Sequence, residues 1–424
     1  MPIKLLMVSD SGVPTGFGRV MDATGIRLHK RGYEIHAASF AYDGLLPPMY
    51  NGERLPYFVA SLQGKAAWAA EVGKLWGALQ IDIVLVIQDA PYAEQIYYQA
   101  GIDWSRTGFV IMTPVDGIPI FPNWVQMMKT ADAGLTISQF GVDAFKEAGV
   151  SVGLCRPGVN VDEFFALDAD TRKGLRARMG IEPEAFVLGT MAQNQGRKAI
   201  PLMIRAFMEF AKDKPNARYF MDMEPTSPAG WDIYSLCKQQ GWDESKLIFR
   251  GAAFKVGVTE LRERYNLLDA HTVMAHREGY GLPLAEAMAC GVVSIAMDYC
   301  SGPEIVGGER GILIPTAGYG VPGMWGGAED RFPDLDVMVE KLQWLHDNPE
   351  ERAAMAKRGM KWARRQTWDK STDNVDKILQ SVAEKHRKMQ AALPQQAQPV
   401  IAPPPVIQAQ PDGLGTVELV EAKV

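Results

Sequence analysis

Cysteine is scarce in this chain: Cys155, Cys237, Cys290 and Cys300 are the four in 424 residues. No two form a C-x-x-C pair and none has a histidine partner at metal-ligand spacing, which speaks against a zinc site and against a disulfide framework and suits a reducing cytoplasm. Charge of one sign is lacking too. With 22% charged residues and a net charge of −6, nothing in the sequence gives the electrostatic footprint of a nucleic-acid binder. Long apolar runs are missing: residues 3–8 are too few for the hydrophobic core of a signal peptide, and no run reaches membrane-spanning length. The full G-x-G-x-x-G spacing is absent as well, since Gly16 and Gly18 lack a third glycine three residues on, which disfavours a nicotinamide dinucleotide site.

What is present is an ordinary globular composition, 47% apolar, in a chain long enough for two domains. Residues 3–8 read as a strand buried in a parallel sheet, and a glycine-rich loop and a helix over 19–31 follow it. Strand, loop and helix together open a nucleotide-binding half. Further strands are expected over 33–40, 81–87, 109–113 and 131–137, with Ser138 as the N-cap of the next helix. Gln88 and Asp89 directly follow one of these strands, where open α/β sheets present ligand-contacting side chains. A second series starts with a strand over 186–192 and a helix over 200–213. Residues 165–180 are rich in charge without a sustained apolar period and read as the boundary between the two series.

The densest signal is Glu278-Gly-Tyr-Gly-Leu-Pro-Leu-Ala-Glu286-Ala-Met-Ala-Cys-Gly291. Pro283 suits a helix first turn, good helix formers follow, and Gly291 stops the helix. Gly279 and Gly281 let a ligand approach the backbone, while unpaired first-turn N–H groups and the helix dipole attract an anion such as a diphosphate. Glu278 and Glu286 only accept hydrogen bonds when ionised, so they suit hydroxyl groups on either side of that anion. A diphosphate between hydroxyl-bearing sugars is a nucleotide sugar.

This string resembles the signature of retaining, nucleotide-sugar-dependent glycosyltransferases of the GT-B fold, family 4. The resemblance extends over residues 3–390 and implies an α/β protein of two Rossmann-like doubly wound domains facing a cleft. By that likeness residues 1–170 form the acceptor-side domain, 171–366 the nucleotide-sugar domain, and 367–390 a helix crossing back to the first. Residues 391–424, rich in Pro, Gln and Ala, are expected to be a disordered tail with a possible protein partner. The resemblance puts donor-sugar contact on Glu278, phosphate contact on Gly279, Tyr280, Gly281 and Leu282, ribose contact on Glu286 and nucleobase contact on Arg250, Gly251 and Ala252. It gives Lys198 to the donor diphosphate. The family's accompanying Arg is replaced by Gln193, and Arg197 is the candidate for the missing charge. It implies metal-independent chemistry with no cofactor beyond the nucleotide-sugar substrate.

Several readings stay open. Gly16, Gly18 and Arg19 either approach the phosphates or acceptor or simply form a tight strand-to-helix turn. Asp116 is a sugar or acceptor ligand or caps the turn with Gly117. Glu304 is a further donor-side candidate, and residues 316–330 read as an exposed loop. The runs Pro-Val-Asp-Gly, Ser-Gln-Phe-Gly and Gln-Gly-Arg-Lys resemble a branch seen in tailed phages, with a protein, a glycan or a modified DNA base as acceptor and the host cytoplasm as setting. Alternatives are a non-catalytic nucleotide-sugar-binding adaptor, or an epimerase or phosphorylase of the same fold. A hydrolase using Glu278 and Glu286 fits poorly, because glycosidase carboxylates face each other across one bond, usually from different elements.

Overall fold

The computed structural model describes residues 2–251, 256–320 and 328–392. Two parallel sheets organise them. The first has seven strands in the order Phe58–Ser61, Glu34–Ser39, Lys4–Ser9, Ile83–Ile87, Gly108–Thr113, Ala133–Thr136 and Gly153–Leu154. The second has six, in the order Leu247–Arg250, Arg218–Asp222, Val187–Met191, Ala270–Val273, Val293–Met297 and Ile312–Ile314. Each sheet starts in the middle and reverses direction beside its first strand, so a ligand crevice opens outside the carboxyl ends there. The central strands are buried because helices cover both faces: Ile83–Ile87 and Val187–Met191 are wholly buried.

The two halves are tied twice. Residues 155–167 lead out of the first sheet, and the helix Trp368–Ala391 returns to it. Val375, Leu379, Val382 and Ala383 fall at i, i+4, i+7 and i+8, and that stripe packs into the first-domain core. Arg27 and Arg31 of the helix Gly16–Lys30 and its C-cap pair with Asp369, Asp373 and Asp376 at 2.8, 2.6 and 3.0 Å to fix its azimuth. Both crossings run side by side, since the Val159 amide donates to the Gln366 carbonyl at 2.7 Å.

Local departures from the sequence reading have clear causes. The charge-rich boundary contains a helix, Ala169–Arg178, capped by Asp168. Its one apolar anchor is Leu175, and the rest of its hold is polar. Arg176 donates to the carbonyls of Leu267 and Ala185 and pairs with Asp269. Hydrogen bonds replace the apolar period that pattern reading requires. Within 316–330, Thr316–Tyr319 is a strand paired antiparallel with Arg331–Pro333, which corrects the loop expectation at its start. Residues 321–327, Ala252 and the tail from 393 lie outside the described residues. Among the described residues, no helix is long and apolar enough to cross a membrane.

Candidate active site

The helix Leu282–Ala289 begins at Gly281, whose φ of +96° is a left-handed conformation that a side chain would strain. Among the described residues no side chain caps this N-terminus. Pro283 has no N–H and the Leu284 amide donates to the Gly281 carbonyl at 3.0 Å, which leaves the Leu282 amide of the first turn available to an anion. The preceding loop is held from beneath: the Ser301 hydroxyl donates to the Tyr280 carbonyl at 2.5 Å and the Tyr280 hydroxyl to the Pro157 carbonyl at 3.1 Å. Tyr280 is thus buried in structure, and of this residue the backbone is what a ligand can meet. Gly279 lies where an added Cβ would sit 2.8 Å from Pro114 of the opposite domain.

Cations reach the same place from the loop after Val187–Met191. Gly196–Lys198 forms a short 3-10 turn, and Ala199 follows in a left-handed conformation at φ +52°. Arg197 is fixed through its main chain, with the His276 amide donating to its carbonyl at 2.8 Å. Its guanidinium donates to the Arg277 carbonyl at 3.1 Å and lies 3.6 Å from Glu278. Lys198 forms a direct ion pair with Glu278. Burial and the neighbouring Arg197 push the Lys198 ammonium below its ordinary value, against the pull of Glu278. Burial works to raise the Glu278 carboxyl, but the charges of Lys198 and Arg197 outweigh it and keep the group ionised. Gln193 is exposed and accepts from the Gln195 amide at 2.6 Å, so it brings no charge to the cluster.

Glu286 lies deeper, 5% exposed. One carboxylate oxygen pairs with Arg19 of the first domain and the other accepts from the Tyr265 hydroxyl at 2.8 Å. Burial pushes this carboxyl up, and Arg19 and the Tyr265 hydroxyl oppose it. Tyr265 had no signal of its own in the sequence. It is one apolar-face position of the helix Val258–Asn266, and its role follows from where that helix docks. A cavity beside the pair is lined by Arg19, Tyr50, Asn160, Glu163, Phe164 and Glu286, among others.

On the first-domain side, Thr15 caps the helix Gly16–Lys30 by accepting from the Gly18 amide at 3.0 Å. A Cβ on Gly18 would lie 2.1 Å from the Val13 carbonyl oxygen, so the tight turn is real, while Gly16 faces open space. The capped turn is also what aims Arg19 across the cleft. Asp10, Asp89 and Asp116 follow three adjacent strands. Asp89 is pushed up to about 6 by burial and by Asp116, with Arg197 opposing from across the cleft. The Asp116 carbonyl accepts from the Cys300 thiol at 2.9 Å, and the Ile118 amide donates to the Tyr299 hydroxyl at 3.2 Å, so this loop is bonded to the second domain.

Two further candidates have their side chains engaged by the protein itself. The Arg250 guanidinium turns onto the Met179 sulfur at 3.5 Å, and the neighbouring Gly251 carbonyl is taken by Arg264 at 2.7 Å. Glu304 spans the domains, accepting from the Gln139 amide and pairing with Arg156.

Known proteins resemble this chain in sequence and in fold. Residues 182–319 match the family model described as Glycosyl transferases group 1. A D-inositol 3-phosphate glycosyltransferase of Saccharomonospora viridis is 25% identical over 240 residues, covering 55% of this chain and 50% of that protein. The serotype-specific mannosyltransferase WbdA of Escherichia coli is 30% identical over 134 residues, 31% of this chain and 16% of that protein. The chain thus spans half the length of the first of these curated relatives, and less of the second. Among solved structures, sucrose-phosphate synthase from Thermosynechococcus elongatus superposes with a TM-score of 0.68 at 15% identity, covering 92% of this chain and 100% of that one. Anabaena Alr3699/HepE, solved in complex with UDP and glucose, gives 0.68 at 16% identity, covering 89% of this chain and 100% of that one. The chain has the GT-B fold, and its residues 182–319 carry the pattern of the group 1 glycosyl transferases.

Proposed function

We propose that the protein transfers a sugar from a nucleoside-diphosphate sugar to a hydroxyl-bearing acceptor, as a family 4 enzyme that retains the anomeric configuration and needs no metal. The observation that carries this reading is the meeting of Lys198, Arg197 and the uncapped N-terminus of Leu282–Ala289 around Glu278. A diphosphate arriving there takes Lys198 from Glu278. The freed carboxylate then accepts hydrogen bonds from the hydroxyls of the donor sugar. As the bond between anomeric carbon and phosphate oxygen breaks, the developing negative charge meets fixed cations and amides, which need no reorganisation at that moment. The acceptor oxygen bonds to the anomeric carbon on the same face, and its proton goes to the departing phosphate oxygen. Glu286 receives the ribose hydroxyls.

The acceptor lies against the first sheet, where Asp89 and Asp116 are placed to accept hydrogen bonds from hydroxyl groups. The acceptor is a protein, a glycan or a modified DNA base in the cytoplasm of a phage-infected host, and the free, buried cysteines suit a reducing compartment of that kind. Incubating the protein with uridine, guanosine and adenosine diphosphate sugars, and reading released nucleoside diphosphate against Lys198→Ala, tests the reading. Slow release from one donor, lost in the variant, supports it. Binding without release from any donor, even with sugar acceptors added, would instead favour a nucleotide-sugar-binding adaptor.

A further inference from the structure

Glu286 has both oxygens engaged by the protein itself, one by a cation and one by a neutral hydroxyl. A carboxylate this buried is stable only with such partners. A ribose diol is neutral, so if it takes the place of Arg19, a guanidinium is left without its counter-charge in a half-buried cleft. Its next carboxylate, Glu163, already accepts from the Asn51 amide at 2.6 Å. The same ligand that brings the diol also brings a diphosphate. Arg19 lies in the first turn of Gly16–Lys30, and its pairing with Glu286 brings that turn against the signature helix, whose N-terminal Leu282 packs on the first-domain core. The second domain supplies two cations there, with a glutamine at position 193.

We infer that Arg19 is a donor-sensing positioning residue: it holds Glu286 while the site is empty and moves to the donor diphosphate when ribose hydroxyls claim that carboxylate. This rests on the donor reading above. The exchange lets the empty cleft keep its ion pair and makes the first domain grip the donor only when nucleoside and diphosphate arrive together. A nucleoside alone must break the pair without replacing it, whereas a nucleoside diphosphate supplies a new partner.

Calorimetry with uridine, guanosine and adenosine and their diphosphates, on the wild type, Arg19→Ala and Arg19→Lys, tests this. Arg19→Ala should bind the preferred nucleoside about 3-fold more tightly and its diphosphate about 10-fold more weakly, which lowers the ratio of the two dissociation constants about 30-fold. Arg19→Lys, which keeps the charge, should restore part of the diphosphate preference. Thermal melting of each variant confirms that it is folded, and Arg19→Gln serves if Arg19→Ala is not. An unchanged ratio in folded variants would overturn the inference and leave Arg19 as a clamp between domains. A wild type that binds no diphosphate would overturn the donor reading itself, and this inference with it.

Discussion

The two sheets share one strand order through their centres and present opposite chemistry at their carboxyl ends. The second offers Lys198, Arg197 and uncapped helix amides. The first offers Asp10, Asp89 and Asp116. One architecture duplicated in a chain therefore does not duplicate a site, because the sheet fixes where side chains converge and the loops fix what they are. The difference separates the two halves by the ligand groups they favour. The cations at the second sheet suit a diphosphate, while Asp10, Asp89 and Asp116 suit hydroxyl donors.

Lys198→Ala should have the largest effect on this asymmetry. Removing a fixed cation from the leaving group should lower turnover of the donor by about 10²- to 10³-fold, a size typical of one preorganised electrostatic contact. Donor hydrolysis measured by released nucleoside diphosphate checks it, and a loss below about 10-fold would mean that Arg197 and the helix amides carry the charge without it. Glu286→Ala should come next. Charge-assisted hydrogen bonds to ribose are worth about 1.5–3 kcal/mol, so nucleoside diphosphate affinity should fall at least about 10-fold by calorimetry, and unchanged affinity would remove Glu286 from the donor site.

The carboxylate half is tested by Asp89→Asn. Burial and Asp116 raise the Asp89 carboxyl to about 6 in the folded protein, with Arg197 opposing and Asp10 adding to the rise. A raised carboxyl favours the folded state fully below the unfolded value near 4 and loses that contribution as pH climbs through 6. Wild-type stability should therefore fall between pH 4 and 6 by this component, and Asp89→Asn should flatten that fall and melt about 2 °C higher at pH 7. A variant less stable than wild type at pH 7 would mean that Arg197 compensates the carboxylate fully.

Much of this was legible in the sequence. Buried parallel strands, the glycine-framed signature helix and the apolar stripe of the last helix are local patterns, and Glu278, Lys198 and Arg197 do converge, with Glu286 deeper along the same helix. Placements that depend on docking were not legible. Glu304 spans the domains because Arg156 and Gln139 are brought to it from the other sheet. Tyr265 reaches Glu286 through a helix whose surface pattern names no ligand. The helix Ala169–Arg178 escaped because it is held by Arg176 on backbone carbonyls, an interaction with no hydrophobic period.

Arg250 is where spacing and geometry part, and it carries the smallest expected effect. The family resemblance puts the nucleobase at 250–252, yet the Arg250 side chain leaves the edge strand toward Met179 while Arg264 holds the Gly251 carbonyl and pairs with Asp222, which is 0% exposed. If the nucleobase is read at this edge, it is read by backbone that Arg264 positions. Arg250→Ala should then change nucleotide affinity less than about 2-fold, within the range of an exposed substitution. Arg264→Ala, by contrast, strands a buried carboxylate and should destabilise the protein by about 3–5 kcal/mol. Chemical denaturation of both variants separates them, and a clear affinity loss in Arg250→Ala alone would show that the edge strand turns its side chain inward when the nucleotide is bound.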